Sequence, residues 1–193
     1  MVELSLFTKS EYVVEQKRLP VGEDVYEIKD LDKNLICYVK RKKGEGELAA
    51  KYVGPAHLDH LMQQTGAAEL WFEAPDGKKF LTLSKGKGYR KVGFEIQDMD
   101  GKILGSILMK KRIVGKPRYV LEDSENNELA EVKSGLVVRH DYKIKSSDGK
   151  EVAKVHKKWL KMMKDSYAIE ILDKSLDPTL ILSLTIAIDL IEH

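Results

Sequence analysis

The segment from Leu176 to Ile191, LDPTLILSLTIAIDLI, is the one long apolar run in the chain, and it limits the folds available to everything before it. Asp177 can accept from the free N–H groups of a helical first turn, and Pro178 has the fixed φ of a first helical position, so a helix is expected near 178–191. Ile181, Leu182, Leu184, Ile186, Ile188 and Leu190 surround the axis, broken only by Ser, Thr and Ala. A helix that is apolar all round has to be enclosed on all sides. A membrane span takes roughly 20 apolar residues, whereas this run stops after about 14 with Asp189 inside it. The expectation is a core helix with no transmembrane span, and the upstream chain has to wrap it.

That upstream chain repeats one pattern. Val25-Tyr26-Glu27-Ile28, the turn residues Asp30-Leu31-Asp32-Lys33-Asn34 and Leu35 to Val39 read as a hairpin. The pattern returns around Pro75-Asp76-Gly77-Lys78, Asp98-Met99-Asp100-Gly101-Lys102, Asp123 to Glu128 and Ser146 to Lys150. A further arm, Tyr167 to Ile171, leads into the final helix instead of returning. Phe94, Tyr119, Tyr142 and Tyr167 recur about every 24 residues, one hairpin per unit, which suits a sandwich, a barrel or a propeller. The terminal helix decides between them, because roughly a dozen strands can curl around one helix. The predicted architecture is mainly β: an antiparallel barrel of about 12 strands built from hairpins, enclosing a hydrophobic C-terminal α-helix. Glu11 to Lys17 reads as a first strand, and Pro55 to Gln64 as a short amphipathic helical insertion. No linker or low-complexity tract divides the chain, so residues 1–193 are expected to form a single domain.

The composition is that of a globular protein: 33 Lys and Arg face 31 Asp and Glu, for a net charge of +2. Electrostatic argument must therefore rest on where the charges sit. A lone cysteine, Cys37, cannot form an intramolecular disulfide and lies in an apolar stretch, which suits a buried thiol. Glu3, Lys9, Ser10 and Glu11 interrupt the first residues, so no signal peptide is read and a cytoplasmic location is expected.

Three pieces of sequence resemble a known superfamily. They are Tyr12 to Lys17 with Tyr26 to Asp30, Ser147 to Val155, and Asp165 to Ile171 followed by Leu176-Asp177 and Ala187 to Glu192. Together they are similar to the phospholipid scramblase and LURP-one-related proteins of the tubby C-terminal-like superfamily, outside about residues 43 to 68. The resemblance implies a barrel around a hydrophobic C-terminal helix. Scramblases carry a calcium-binding acidic segment before that helix, and Asp165 and Asp177 match two of its carboxylate positions. Met163 occupies a third. A calcium ion takes about 6–8 oxygens, so these two are weak metal candidates, and no cofactor is expected.

Other motifs carry less. Asp98-Met99-Asp100-Gly101 opens like an EF-hand loop, yet Leu104 and Met109 fall where ligands are needed, so a hairpin turn is the better reading. His57 and His60 share a helix face without an identifiable third ligand, and no nucleophile or cofactor motif stands out, so an enzyme is not expected. Charge phase is more informative. Turns within hairpins carry carboxylates, whereas exits between hairpins carry Lys40 to Lys43, Lys85 to Lys91, Lys110, Lys111, Arg112, Lys157 and Lys158. In an up-and-down barrel this makes one rim acidic and the other basic, with Lys110, Lys111, Arg112, Lys157 and Lys158 as the candidate anion-binding residues. The partner expected for such a rim is an anionic phospholipid head group at a membrane surface. A protein partner or nucleic acid is the alternative, and Trp159 among lysines suits a bilayer interface, a base or a barrel-closing aromatic.

Overall fold

The computed structural model describes residues 6–16, 24–41, 69–85, 93–110, 118–133, 141–160 and 164–192. The strands are β1 (Glu11–Gln16), β2 (Asp24–Lys29), β3 (Leu35–Arg41), β4 (Glu69–Glu73), β5 (Lys79–Lys85) and β6 (Gly93–Gln97). They continue as β7 (Ile103–Lys110), β8 (Arg118–Asp123), β9 (Glu128–Lys133), β10 (Asp141–Ser146), β11 (Glu151–Leu160) and β12 (Lys164–Ile171), followed by helix α1 (Pro178–Glu192). Each strand pairs antiparallel with its sequence neighbour, and β1 closes the barrel by lying between β12 and β2. Closure removes the free sheet edges that would otherwise offer unpaired N–H and C=O groups.

Five hairpins share one turn. In the β6–β7 turn Gly101 N–H donates to the Asp98 carbonyl at 3.1 Å, and Asp98 N–H donates to the Lys102 carbonyl at 3.0 Å. The same pair of bonds recurs at Asp30, Ala74, Asp123 and Ser146. Lys33, Gly77, Gly101, Asn126 and Gly149 take the left-handed conformation that ends this turn, and each hairpin has its register shift at the arm entering it. This is a type I turn with a bulge, so the repeated turn residues in the sequence reflect a repeated backbone requirement.

Side chains alternate across the wall. Tyr12, Val14, Ile28, Cys37, Val39, Leu81, Leu83, Ile107, Leu121, Ile144 and Val155 are buried in the core. Within α1 every residue from Ile181 to Asp189 is buried, as expected for a helix apolar on all sides. Asp177 caps its start, its Oδ1 accepting from Thr179 N–H at 2.8 Å. No helix among the described residues is long and apolar enough to cross a membrane. The expected insertion at 55–64 lies outside the described residues.

Candidate functional site

The barrel has two chemically different ends. All five bulged turns and the β12–α1 connection lie at one, hereafter the hairpin end; α1 enters there and runs toward the other. At the hairpin end the turn aspartates are occupied by the turns themselves. Asp98 Oδ1 accepts from Asp100 and Lys102 N–H, Asp123 Oδ1 from Glu125 and Asn127 N–H, and Asp30 Oδ1 from Asn34 N–H. Such side-chain to backbone bonds hold the loop in its turn conformation. The bonds given by Asn34 and Asn127 hold the Asp30 and Asp123 carboxyls below their usual range, and Ser146 does the same for Asp148. Lys150, donating to Asp173 at 2.5 Å, pulls that carboxyl down to about 2. The EF-hand-like segment is one of these turns.

Inside the barrel toward the other end sits a buried polar cluster. Asp189 of α1 accepts from the Tyr26 hydroxyl at 2.6 Å through Oδ2 and from the Tyr167 hydroxyl through Oδ1. Tyr26 and Tyr167 stand on β2 and β12, on either side of β1, so one carboxylate ties two staves of the wall to the helix. A buried carboxylate is tolerated only with such partners. Tyr142 projects toward Thr185 and Asp189, its buried hydroxyl without a hydrogen-bond partner in good geometry, and burial pushes its ionisation up. Tyr26, Phe94, Tyr119, Tyr142 and Tyr167 are all buried near the starts of even-numbered strands, which explains the aromatic spacing of the sequence.

The candidate anion-binding residues fall out as follows. Lys110 ends β7 on the outer wall and donates to Glu122 at 2.8 Å. Lys157 lies opposite Tyr167 in the register of β11 and β12, its Nζ 5.4 Å from that ring's centroid. Both strands end at the same, non-hairpin end, with Lys157 facing the lumen and Lys110 the outside. Lys158 pairs with Ser166 in the backbone register. Lys111 and Arg112 lie outside the described residues, as do His57, His60 and Gly86 to Arg90. The two carboxylates matched to a calcium segment are far apart: Asp165 is near the start of β12, at the non-hairpin end, and Asp177 caps α1 at the hairpin end. A strand length of roughly 20 Å separates them, at about 3.3 Å per residue, so they cannot share one ion. Among the described residues no group of three or more His, Cys, Asp or Glu is placed to hold a metal.

Reasoning from the sequence missed the partners of Asp189, although an aspartate inside an apolar helix and tyrosines at a fixed period were both visible. It also missed that outer-wall charges pair across strands: Lys29 with Glu15, Lys40 with Glu73, Arg118 with Glu128 and Glu131, and His156 with Asp141 at 3.1 Å.

Comparisons with known proteins agree with this architecture. The X-ray structure of a protein from Arabidopsis thaliana superposes with a TM-score of 0.63 over 100% of this chain and 98% of its own, at 14% identity, a likeness of fold alone. No curated protein matches the chain. A family model described as LURP-one-related matches residues 74–189, more than half of the chain and most of the barrel with its helix. The chain therefore belongs to the LURP-one-related family.

Proposed function

We propose that this barrel is a non-enzymatic, single-domain binding module that meets anionic phospholipid head groups with its non-hairpin end, acting in the cytoplasm where such lipids line the membrane. The supporting observation is topological. Strand order assigns every bulged, aspartate-bearing turn to one end, and the connections rich in cations join strand ends at the other. Between β5 and β6 the sequence carries Lys87, Arg90 and Lys91, and between β7 and β8 it carries Lys111, Arg112 and Lys116. Carboxylates of Asp30, Asp98 and Asp123 at the hairpin end hold their own turns, so the asymmetry needs a functional reason chiefly on the basic side.

Each Lys or Arg near an anionic surface contributes on the order of 1 kcal/mol, and several together give reversible, salt-sensitive attachment. Lys110, Lys111, Arg112, Lys157 and Lys158 are the residues assigned to this contact. The test is co-sedimentation with vesicles of rising anionic lipid content, comparing the protein with a folded variant carrying Glu at those five positions. Retention at low salt that disappears in the variant and near 1 M salt supports the reading. Equal retention of the variant overturns it, as does preferential binding to oligonucleotides offered alongside, since a basic rim also attracts phosphate backbones without regard to sequence.

A further inference from the structure

The outer wall holds a groove of about 460 Å³ over β10, bounded by Glu131 of β9 and by Lys154 and His156 of β11. Its size is that of a small-molecule pocket. It forms where the sheet is least continuous: β10 meets β9 through only two register pairs, Lys145 with Glu131 and Ser146 with Ala130, whereas β10 and β11 pair along five residues.

Within the groove Lys143 of β10 stands directly opposite Lys154 of β11. Like charges directly opposite destabilise a sheet, and two of the three lysines lining the groove face each other in this way. Glu151 takes Lys143 at 2.6 Å and Glu170 takes Lys154 at a looser 3.4 Å, and neither carboxylate lines the groove. Lys145, half-buried, stands opposite Glu151 of β11 and attracts its charge without a salt bridge to it. Glu131, its register partner, is bound to Arg118, and Asp141 is held by His156. An ammonium group with no salt bridge of its own therefore faces the cavity, with two further lysines beside it. Tyr142 borders the groove from the inner side of β10, its side chain turned into the core.

We propose that this groove binds a small, soluble organic anion, its charged group held by Lys145 with Lys143 and Lys154 at the flanks and its apolar body against the lysine stems. Three flexible ammonium groups accept a carboxylate or a phosphate monoester, since lysine acts as a point charge without the fixed fork of arginine. This site lies on the outer wall, from the middle of β10 to its start at the non-hairpin end, and does not depend on the lipid assignment.

The test is titration of the whole protein with phenyl phosphate, benzoate and inorganic phosphate, followed by amide NMR shifts and calorimetry. Saturable shifts centred on residues 141–145 and 153–156 are expected with phenyl phosphate or benzoate, at a Kd tighter than about 1 mM and with inorganic phosphate at least about tenfold weaker. Lys145→Gln should weaken binding by about tenfold or more without lowering the melting temperature, whereas Lys102→Gln, an equal loss of charge at the hairpin end, should leave it unchanged. The double variant Lys143→Gln with Lys154→Gln should also lose affinity while melting no lower than the wild type. The inference is overturned if none of the probes saturates these amides, if Lys145→Gln binds as well as wild type, or if inorganic phosphate binds as tightly as phenyl phosphate. Binding of phosphate groups only on vesicles, with no response to the soluble probes, would equally refute a soluble ligand.

Discussion

Asp189 shows how much a single side chain can carry in this fold. It sits among Ile186, Ala187 and Ile188 where the rest of the helix is apolar, and two tyrosine hydroxyls make its burial tolerable. Asp189→Ala should remove the shared acceptor of both hydroxyls, at about 1–3 kcal/mol for each group it leaves unsatisfied, while Tyr26→Phe removes one bond to a carboxyl group worth about 1.5–3 kcal/mol. Urea unfolding should rank the variants in that order, with Asp189→Ala the least stable. Cys37 is fully buried and its thiol ionises only well above its ordinary range, so the native protein should resist maleimide until it unfolds. Rapid labelling of the folded protein would contradict that placement. The apolar context of both residues could be read in the sequence. The partners of Asp189 could not, because Tyr26 is 163 residues away and becomes a neighbour only when β1 closes the barrel.

The hairpins were legible at the level of elements because each turn imposes a local backbone requirement that Asp, Gly and Asn meet, and because apolar residues alternate on the arms. What the sequence left open was why the turns are acidic, since a charge count does not distinguish a solvated carboxylate from one bonded to its own loop. Asp173 tests the distinction. Its carboxyl lies at about 2 when folded, against an ordinary value of 3.8, chiefly because of Lys150. A carboxyl depressed in the folded state stabilises above its unfolded value, and that contribution is lost as pH falls through the folded value. Stability from Asp173 should thus be complete above about pH 4 and fade toward pH 2, with Asp30, Asp123 and Asp148 shifted in the same direction. In Lys150→Gln, NMR titration should find Asp173 raised toward its ordinary value, short of it because Ser175 still donates to the carboxyl; an unchanged titration would remove Lys150 as the cause. Gly105 offers a second test at this scale. A Cβ there would lie 2.6 Å from the Glu122 carbonyl oxygen of β8, so Gly105→Ala must push β7 and β8 apart. The expected loss is about 1–3 kcal/mol in chemical denaturation, as for other overpacked sites.

On the scale of the whole molecule, the wall and the helix need each other. The barrel without α1 has an empty lumen, and the helix without the barrel exposes apolar side chains on every face. The sequence made this dependence legible because an all-round apolar helix too short for a bilayer leaves few other folds. It did not show the closing role of β1, which depends on a pairing between opposite ends of the chain, nor the groove over β10, which depends on how briefly β9 and β10 pair. Function was legible only as charge phase, because ligand recognition lives in side-chain convergence and not in the period of the repeat. The most direct test of the enclosed helix is amide hydrogen exchange, read with and without anionic vesicles. Residues 181–189 should exchange most slowly of all, opening only with global unfolding and at the same rate when vesicles are added. Exchange of those amides as fast as in the hairpin turns, or a change in their protection on adding vesicles, would mean that the helix is not the core of the barrel.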